Sequence, residues 1–167
     1  VSVEHWEGGK LPYVDNLVNL VVSESVDEVA VDDITRVLAP GGVAYRKRNG
    51  EWQMIRKPWP EGIDQWTHYL HGPDNNAVAK DEQVGPPRHV QWINGPAYAR
   101  SHEINASLAA MVSSNGRLVT IEDDGVIGLT DKRMPPRWVL KARDAFNGTV
   151  LWKRPMPDWG WRQWHAE

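Results

Sequence analysis

Three of the four Asn-Gly pairs, at Asn49-Gly50, Asn115-Gly116 and Asn147-Gly148, each stand between short runs rich in apolar residues. Asn-Gly accepts the positive φ that a tight hairpin turn demands, so each pair commits its flanks to antiparallel strands. The first joins residues 43–48 to 51–57, and the second joins 107–113 to 117–122. The third joins 138–145 to 149–153. The alanines of residues 107–113 also permit a helix, but strand is favoured. Val90-Gln-Trp-Ile93 reads as a short extended piece, Val1 to Trp6 as an alternating strand, and residues 125–137, with Pro135-Pro136, as a loop.

The first third of the chain breaks this β pattern. Leu11-Pro-Tyr-Val-Asp-Asn16 is a turn, because Pro sets φ and Asp-Asn tolerates tight backbone. Leu17-Val-Asn-Leu-Val-Val22 is a nearly continuous apolar run, the pattern of a strand buried on both faces of a parallel sheet. Over residues 27–40, Val29, Ala30, Ile34, Val37 and Leu38 recur at helical spacing, and Pro40-Gly41-Gly42 ends the helix. Strand, helix, strand is the order of an α/β unit. Lys57-Pro-Trp-Pro-Glu-Gly62 is a stiff connector. The expected division is therefore 1–57, a linker at 58–63, and 64–167.

Composition narrows the function classes. A hydrophobic fraction of 41% with a net charge of −3 is that of a globular chain without a basic face for nucleic acid. No apolar run approaches the roughly 20 residues that span a bilayer. The absence of cysteine removes disulfides, thiol catalysis and thiolate metal sites, without settling the compartment. Ten Trp against one Phe and four Tyr demand burial, an interface or a stacked ligand. The chain opens on Val1 without Met and stops at Glu167 without a cap or polar tail, so we expect an internal piece of a longer protein.

The residues Leu11-Pro-Tyr-Val-Asp-Asn16, the apolar run after them, and Arg36-Val-Leu-Ala-Pro-Gly-Gly42 resemble the later half of class I S-adenosylmethionine-dependent methyltransferases. In that family a Leu-Pro-aromatic-x-Asp turn precedes the fourth strand, and Arg-x-Leu-x-Pro-Gly-Gly leads into the fifth. Asn19 departs from the acidic residue usual there, and no glycine-rich nucleotide loop occurs anywhere in the chain. The resemblance covers about residues 1–48.

Ala142-Arg-Asp-Ala-Phe-Asn-Gly-Thr-Val-Leu-Trp152 resembles the Ala-x-Asp-x-x-x-Gly-x-x-x-Trp repeat of pyrroloquinoline-quinone (PQQ)-type β-propellers, with Ala142, Asp144, Gly148 and Trp152 in place. Trp66-Thr-His-Tyr-Leu-His-Gly-Pro-Asp-Asn-Asn-Ala77 and Gly85-Pro-Pro-Arg-His-Val-Gln-Trp92 are similar to that family's opening segment. The resemblance implies that Gly148 supplies a positive φ, that Asp144 holds the turn, and that Trp152 packs against the next blade. The combination is similar to large planctomycete-type PQQ-like repeat proteins. It implies an α+β composite fold: a partial α/β, Rossmann-like, methyltransferase-type segment, then antiparallel strands of a first propeller blade. It also implies further blades and an upstream methyltransferase-like half of the same chain as partners, an extracytoplasmic location, and PQQ or S-adenosylmethionine as cofactors of the full-length protein, neither demonstrable in these residues. A binding or scaffold role is the leading reading, with a methyltransferase or a quinone-dependent dehydrogenase as alternatives.

For chemistry, His68, His71 and Asp74, with Asn75 and Asn76, form the densest polar cluster and are candidates for a divalent metal. His-x-x-His fixes no third ligand, and a loop satisfying its own backbone explains the same residues. Glu122-Asp123-Asp124 lacks calcium-loop spacing and reads as a solvated turn. His102-Glu103 reads as a polar loop. A quinone could stack on a Trp such as Trp152, Trp159, Trp161 or Trp164, although packing explains Trp152 more simply. Asn105-Ala-Ser107 and Asn147-Gly-Thr149 match the glycosylation acceptor, and a turn explains the second better. No catalytic residue is assignable.

Overall fold

The computed structural model describes residues 3–24, 29–83, 85, 90–95, 108–125, 133, 136–157 and 159. The chain divides into two compact units, Val1–Glu61 and Gly62–Glu167.

The first unit holds β1 (Val18–Ser23), α1 (Val31–Val37), β2 (Leu38–Arg48) and β3 (Glu51–Arg56), in sheet order β1-β2-β3. β1 and β2 run parallel, and β2 and β3 form the hairpin across Asn49-Gly50, both residues at positive φ. The helix is only seven residues long, far short of the expected 27–40. Pro40 drives Ala39 to extended backbone, so a helix cannot run up to it. The carbonyls of Arg36 and Val37 instead accept from the amides of Asn16 and Leu17, each at 3.0 Å. β2 thus begins at Leu38 and runs through the Pro-Gly-Gly segment read as a stop. Its register against β1 shifts between Val18 and Leu20, and Gly42 sits in that irregularity. A Cβ on Gly42 would lie 2.8 Å from the Ala39 carbonyl oxygen and 3.1 Å from that of Val18.

The loop before β1 is tied down by one side chain. Arg36 donates through Nη1 to the Tyr13 carbonyl at 2.7 Å and to Asp15 Oδ1 at 2.8 Å. Its Nη2 reaches the Leu11 carbonyl at 3.0 Å, and its Nε reaches Asp33 Oδ1 at 2.7 Å. Asp33 Oδ2 in turn accepts from the Leu11 amide at 2.5 Å. That amide and the guanidinium hold the Asp33 carboxyl below its ordinary range. Under this network, Val29, Ile34, Leu38 and Ala44 form the core, with Trp6, Leu11, Val21 and Ile55 against it.

The second unit is an up-and-down antiparallel sheet of β4 (Leu108–Ser114), β5 (Arg117–Asp123), β6 (Trp138–Asp144) and β7 (Val150–Pro155), in that spatial order. Asn115 and Gly116 make the β4–β5 turn at φ 48° and 71°. Residues 3–6 and 90–93 form no strand.

The α+β composite with a Rossmann-like segment is therefore corrected. Among the described residues the protein is nearly all β, with seven strands in two sheets and one short helix. Only one strand pair is parallel, and one turn-limited helix cannot build the layered sheet that a Rossmann-like fold requires. The single four-stranded sheet closes no propeller ring. The β1 run is also not buried on both faces: Leu20 and Val22 are exposed. No helix among the described residues is long and apolar enough to cross a membrane.

Gly42→Ala should cost about 2 kcal/mol, because both obstructing atoms belong to backbone and overpacking is relieved only by moving strands. Urea denaturation of the variant, followed by far-ultraviolet dichroism, measures the loss.

Candidate functional site

In the loop preceding β4, the chain doubles back at residues 68–71. The amides of Thr67 and His68 both donate to the His71 carbonyl, at 2.9 and 3.1 Å, with His71 at φ 70°. This puts the His71 ring inside, edge-on to Trp66 at 5.2 Å, with Nε2 2.6 Å from Asp64 Oδ2. Asp64 also accepts from the amides of Lys80 at 2.5 Å and Gln65 at 2.7 Å. Those two amides and the imidazole lower its carboxyl from 3.8 to about 2. Asp64 is ionised at neutral pH, so Nε2 carries the donated proton. His71 Nδ1 is then left buried and without a hydrogen-bond partner.

A carboxylate-oriented imidazole has the form of a general-base pair, or of a metal ligand with its supporting carboxylate. Neither use is completed here. His68 Nδ1 lies 2.9 Å from Thr67 Oγ1, and Asp74 Oδ1 accepts from the Asn76 amide at 3.3 Å within its own exposed loop. Ser113 Oγ is held by the Trp66 amide at 3.3 Å. Among the described residues no three His, Cys, Asp or Glu side chains converge on a metal-sized site. His71 and Asp64 instead hold the loop to itself, and the Ser113 amide ties it to β4 by donating to the Trp66 carbonyl at 2.7 Å.

The sheet itself carries a second cluster that single-residue patterns do not reveal. Pairing of Thr120 with Lys141 and of Leu118 with Arg143 puts Thr120, Glu122, Lys141 and Arg143 on one face. All four are buried. Glu122 Oε1 accepts from Lys141 Nζ and from Arg143 Nη2, the latter at 3.3 Å, while Oε2 accepts from Thr120 Oγ1 at 3.0 Å. Lys141 lies 3.6 Å from Asp124 Oδ1, whose other oxygen takes Lys153 Nζ at 2.5 Å. The Lys153 hydrogen bond, reinforced by the charge of Lys141, lowers the Asp124 carboxyl against the opposing effect of burial. Charges thus alternate from Arg143 through Glu122, Lys141 and Asp124 to Lys153. The acidic triplet is no solvated turn: Glu122 and Asp123 are buried, and Asp123 Oδ1 accepts from the amides of Gly125 and Arg137, both at 2.8 Å.

Beyond β6, Asp144 Oδ1 accepts from the amides of Phe146 and Asn147 at 2.8 and 3.2 Å, and its carbonyl accepts from the Gly148 amide at 2.9 Å. The connection is thus a longer loop ending in Gly148 at φ 73°, not a two-residue Asn-Gly turn. Segment 90–95 lies on this loop. Trp92 Nε1 donates to the Ala145 carbonyl at 3.0 Å, Gln91 Nε2 to that of Phe146 at 2.8 Å, and Asn94 Nδ2 to that of Gly148 at 3.1 Å. A Cβ at Gly148 would fall 2.5 Å from the Trp92 ring. Ala142 is buried and pairs with Trp152, but Trp152 itself is 47% exposed and every residue of β7 is exposed. Trp159 is edge-on to the buried Trp138 at 4.7 Å. Residues 102–107, 161 and 164 lie outside the described residues.

No protein-family model, curated protein or solved structure matches this chain. Asp64, Lys141 and Arg143 were not singled out from the sequence, and Trp92 and Glu122 were noted there without these contacts. Each depends on a partner 7 to 53 positions away.

Two outcomes are expected. Because the folded Asp64 titrates below its unfolded value, the stability it confers is complete above pH 3.8 and is lost as the pH falls toward 2. Acid unfolding of Asp64→Asn should accordingly be less steep through that window than that of the parent. Glu122→Gln leaves two buried cations facing each other and should destabilise the chain by about 3 kcal/mol in urea titrations.

Proposed function

We propose that this chain is a binding or scaffold module, with β7 as the strand that meets a neighbouring β-module. The observation that carries the reading is the exposure of Val150, Leu151 and Trp152 together on an edge strand. Edge strands in water are ordinarily short, charged or covered, because free N–H and C=O groups invite pairing. Here Lys153 is engaged by Asp124 and the remaining charge, Arg154, stands at the far end of the strand before Pro155, which leaves Val150, Leu151 and the indole as one apolar stretch of the edge. A half-exposed Trp beside aliphatic side chains has the composition of an interface centre.

The PQQ-type repeat resemblance agrees with this placement, since Ala142, Asp144 and Gly148 all serve the sheet and its turn. The charged side chains of the sheet face are paired with one another. The groups that carry the methyltransferase resemblance are likewise engaged internally: Arg36 by residues 11–15 and Asp33, and Asn16 Oδ1 by Lys57 Nζ at 2.7 Å. They do not fit a cofactor cradle, and no methyl-transfer step is derived.

Trp152→Ala is the direct test. For a surface residue the change should alter unfolding free energy by less than about 1 kcal/mol. A loss several times larger would place the indole in the fold rather than at an interface. In parallel, titration calorimetry with S-adenosylmethionine, and with PQQ in the presence of calcium, should give no saturable heat. Micromolar binding of either would replace the scaffold reading with an enzymatic one.

A further inference from the structure

In the first unit, β1 pairs Val22 with Tyr45, and β2 pairs Tyr45 with Met54 and Lys47 with Trp52. Paired residues share a side of the sheet, so Leu20, Val22, Tyr45, Trp52 and Met54 form one continuous face, with Lys47 and Arg56 at its two ends. The opposite face, with Val21, Ala44 and Ile55, is the one that packs on the helix and the Val29–Ile34–Leu38 core. The first face has no such cover: its five residues are between 41 and 59% exposed. Yet β1 lacks the polar alternation of a strand with one wet side, and its apolar run is written for burial on both.

We propose that this face is a homodimer interface, closed by a second copy of the same chain packed sheet to sheet about a two-fold axis along β2. Three observations single out this occupant. The first is area. The five residues leave roughly 500 Å² in water per copy, and two copies would bury about 1,000 Å², the size at which specific interfaces begin. The second is shape. An axis along β2 lays β1 of each copy over β3 of the other at the same height, so Val22 meets the long Met54, and Leu20 meets the aliphatic stem of Arg56. Strands then run aligned, as in ordinary sheet-on-sheet packing. The third is charge. Lys47 leans toward β3, with Nζ 5.9 Å from the Trp52 ring, and Glu24 follows β1 at the same end of the sheet. The two-fold brings Glu24 of each copy to Lys47 of its partner, giving two symmetric ion pairs at the rim. An isologous contact of this kind closes on itself and forms no fibre.

Sedimentation equilibrium of the whole 167-residue chain across the micromolar range tests the interface. The expected result is a monomer–dimer equilibrium that Val22→Glu weakens by at least about tenfold. Glu24→Lys should weaken it as well, and adding Lys47→Glu should restore it, a rescue that general damage to folding would not produce. The absence of cysteine permits a second readout. Tyr45→Cys, on the axis, should be joined to its copy by a short bis-maleimide reagent that spans the roughly 10 Å between packed sheets, whereas Gln53→Cys, on the opposite face, should not. A chain that stays monomeric while Tyr45→Cys fails to cross-link overturns the proposal. So does a dimer that survives Val22→Glu but is lost on Trp152→Arg, because the contact would then run through β7. If Val22→Glu loses its dichroism signal, the charge reversal and the cross-link decide between the same two outcomes.

Discussion

The second unit depends on a carboxylate that gives up water. Glu122 is buried near the end of β5, where an unpaired charge would be prohibitive, and it is retained because Lys141, Arg143 and Thr120 supply donors to both of its oxygens. Lys141 and Arg143 stand on the neighbouring strand two and four residues beyond Val139, the residue paired with Glu122, so the pairing of β5 with β6 is specified by charge as well as by apolar fit. A slip of one residue would turn Lys141 and Arg143 to the other face and strand Glu122. Arg143 extends the arrangement outward, since its Nη1 and Nη2 also reach the carbonyls of Gly148 and Gly95 at 3.4 and 3.2 Å. Register, turn and flanking loop are thereby tied to one ionised group.

The first unit solves a related problem with a cation. The segment before β1 has no ladder of its own, and its carbonyls at Leu11 and Tyr13 are satisfied by the guanidinium of Arg36. Because the same guanidinium binds Asp15 and Asp33, the Leu-Pro-aromatic-x-Asp turn and the Arg-x-Leu-x-Pro-Gly-Gly turn are two halves of one hydrogen-bonded object. Their joint occurrence in a sequence has a structural cause that requires no cofactor.

Local chemistry was readable where it was self-sufficient. The Asn49-Gly50 and Asn115-Gly116 turns, the strands flanking them, and the role of Asp144 and Gly148 in the β6–β7 loop follow from side chains acting on their own backbone. The helix was overestimated because its periodic residues continue past Val37 while Pro40 and the acceptors sought by Asn16 and Leu17 end it early. Lys141 and Arg143 alternate along β6 as solvent-facing residues would, and nothing nearby announces that Glu122 waits opposite. In the same way His71 was visible and Asp64 was not, since their meeting depends on a loop that folds back at residues 68–71. Trp152 was found by its motif, but a motif does not tell how much of an indole remains in water.

The contact between Gly148 and Trp92 couples two distant positions of the chain. The indole occupies the space that any larger residue at 148 would claim, and it anchors the 90–95 segment through the Ala145 carbonyl. Drift at one position is therefore constrained by the other: a side chain can appear at 148 only after the ring at 92 has shrunk, and with it goes the indole N–H that fastens the segment. Across descendants of this sequence the two sites are bound to vary as a pair, glycine with tryptophan, although 56 positions separate them.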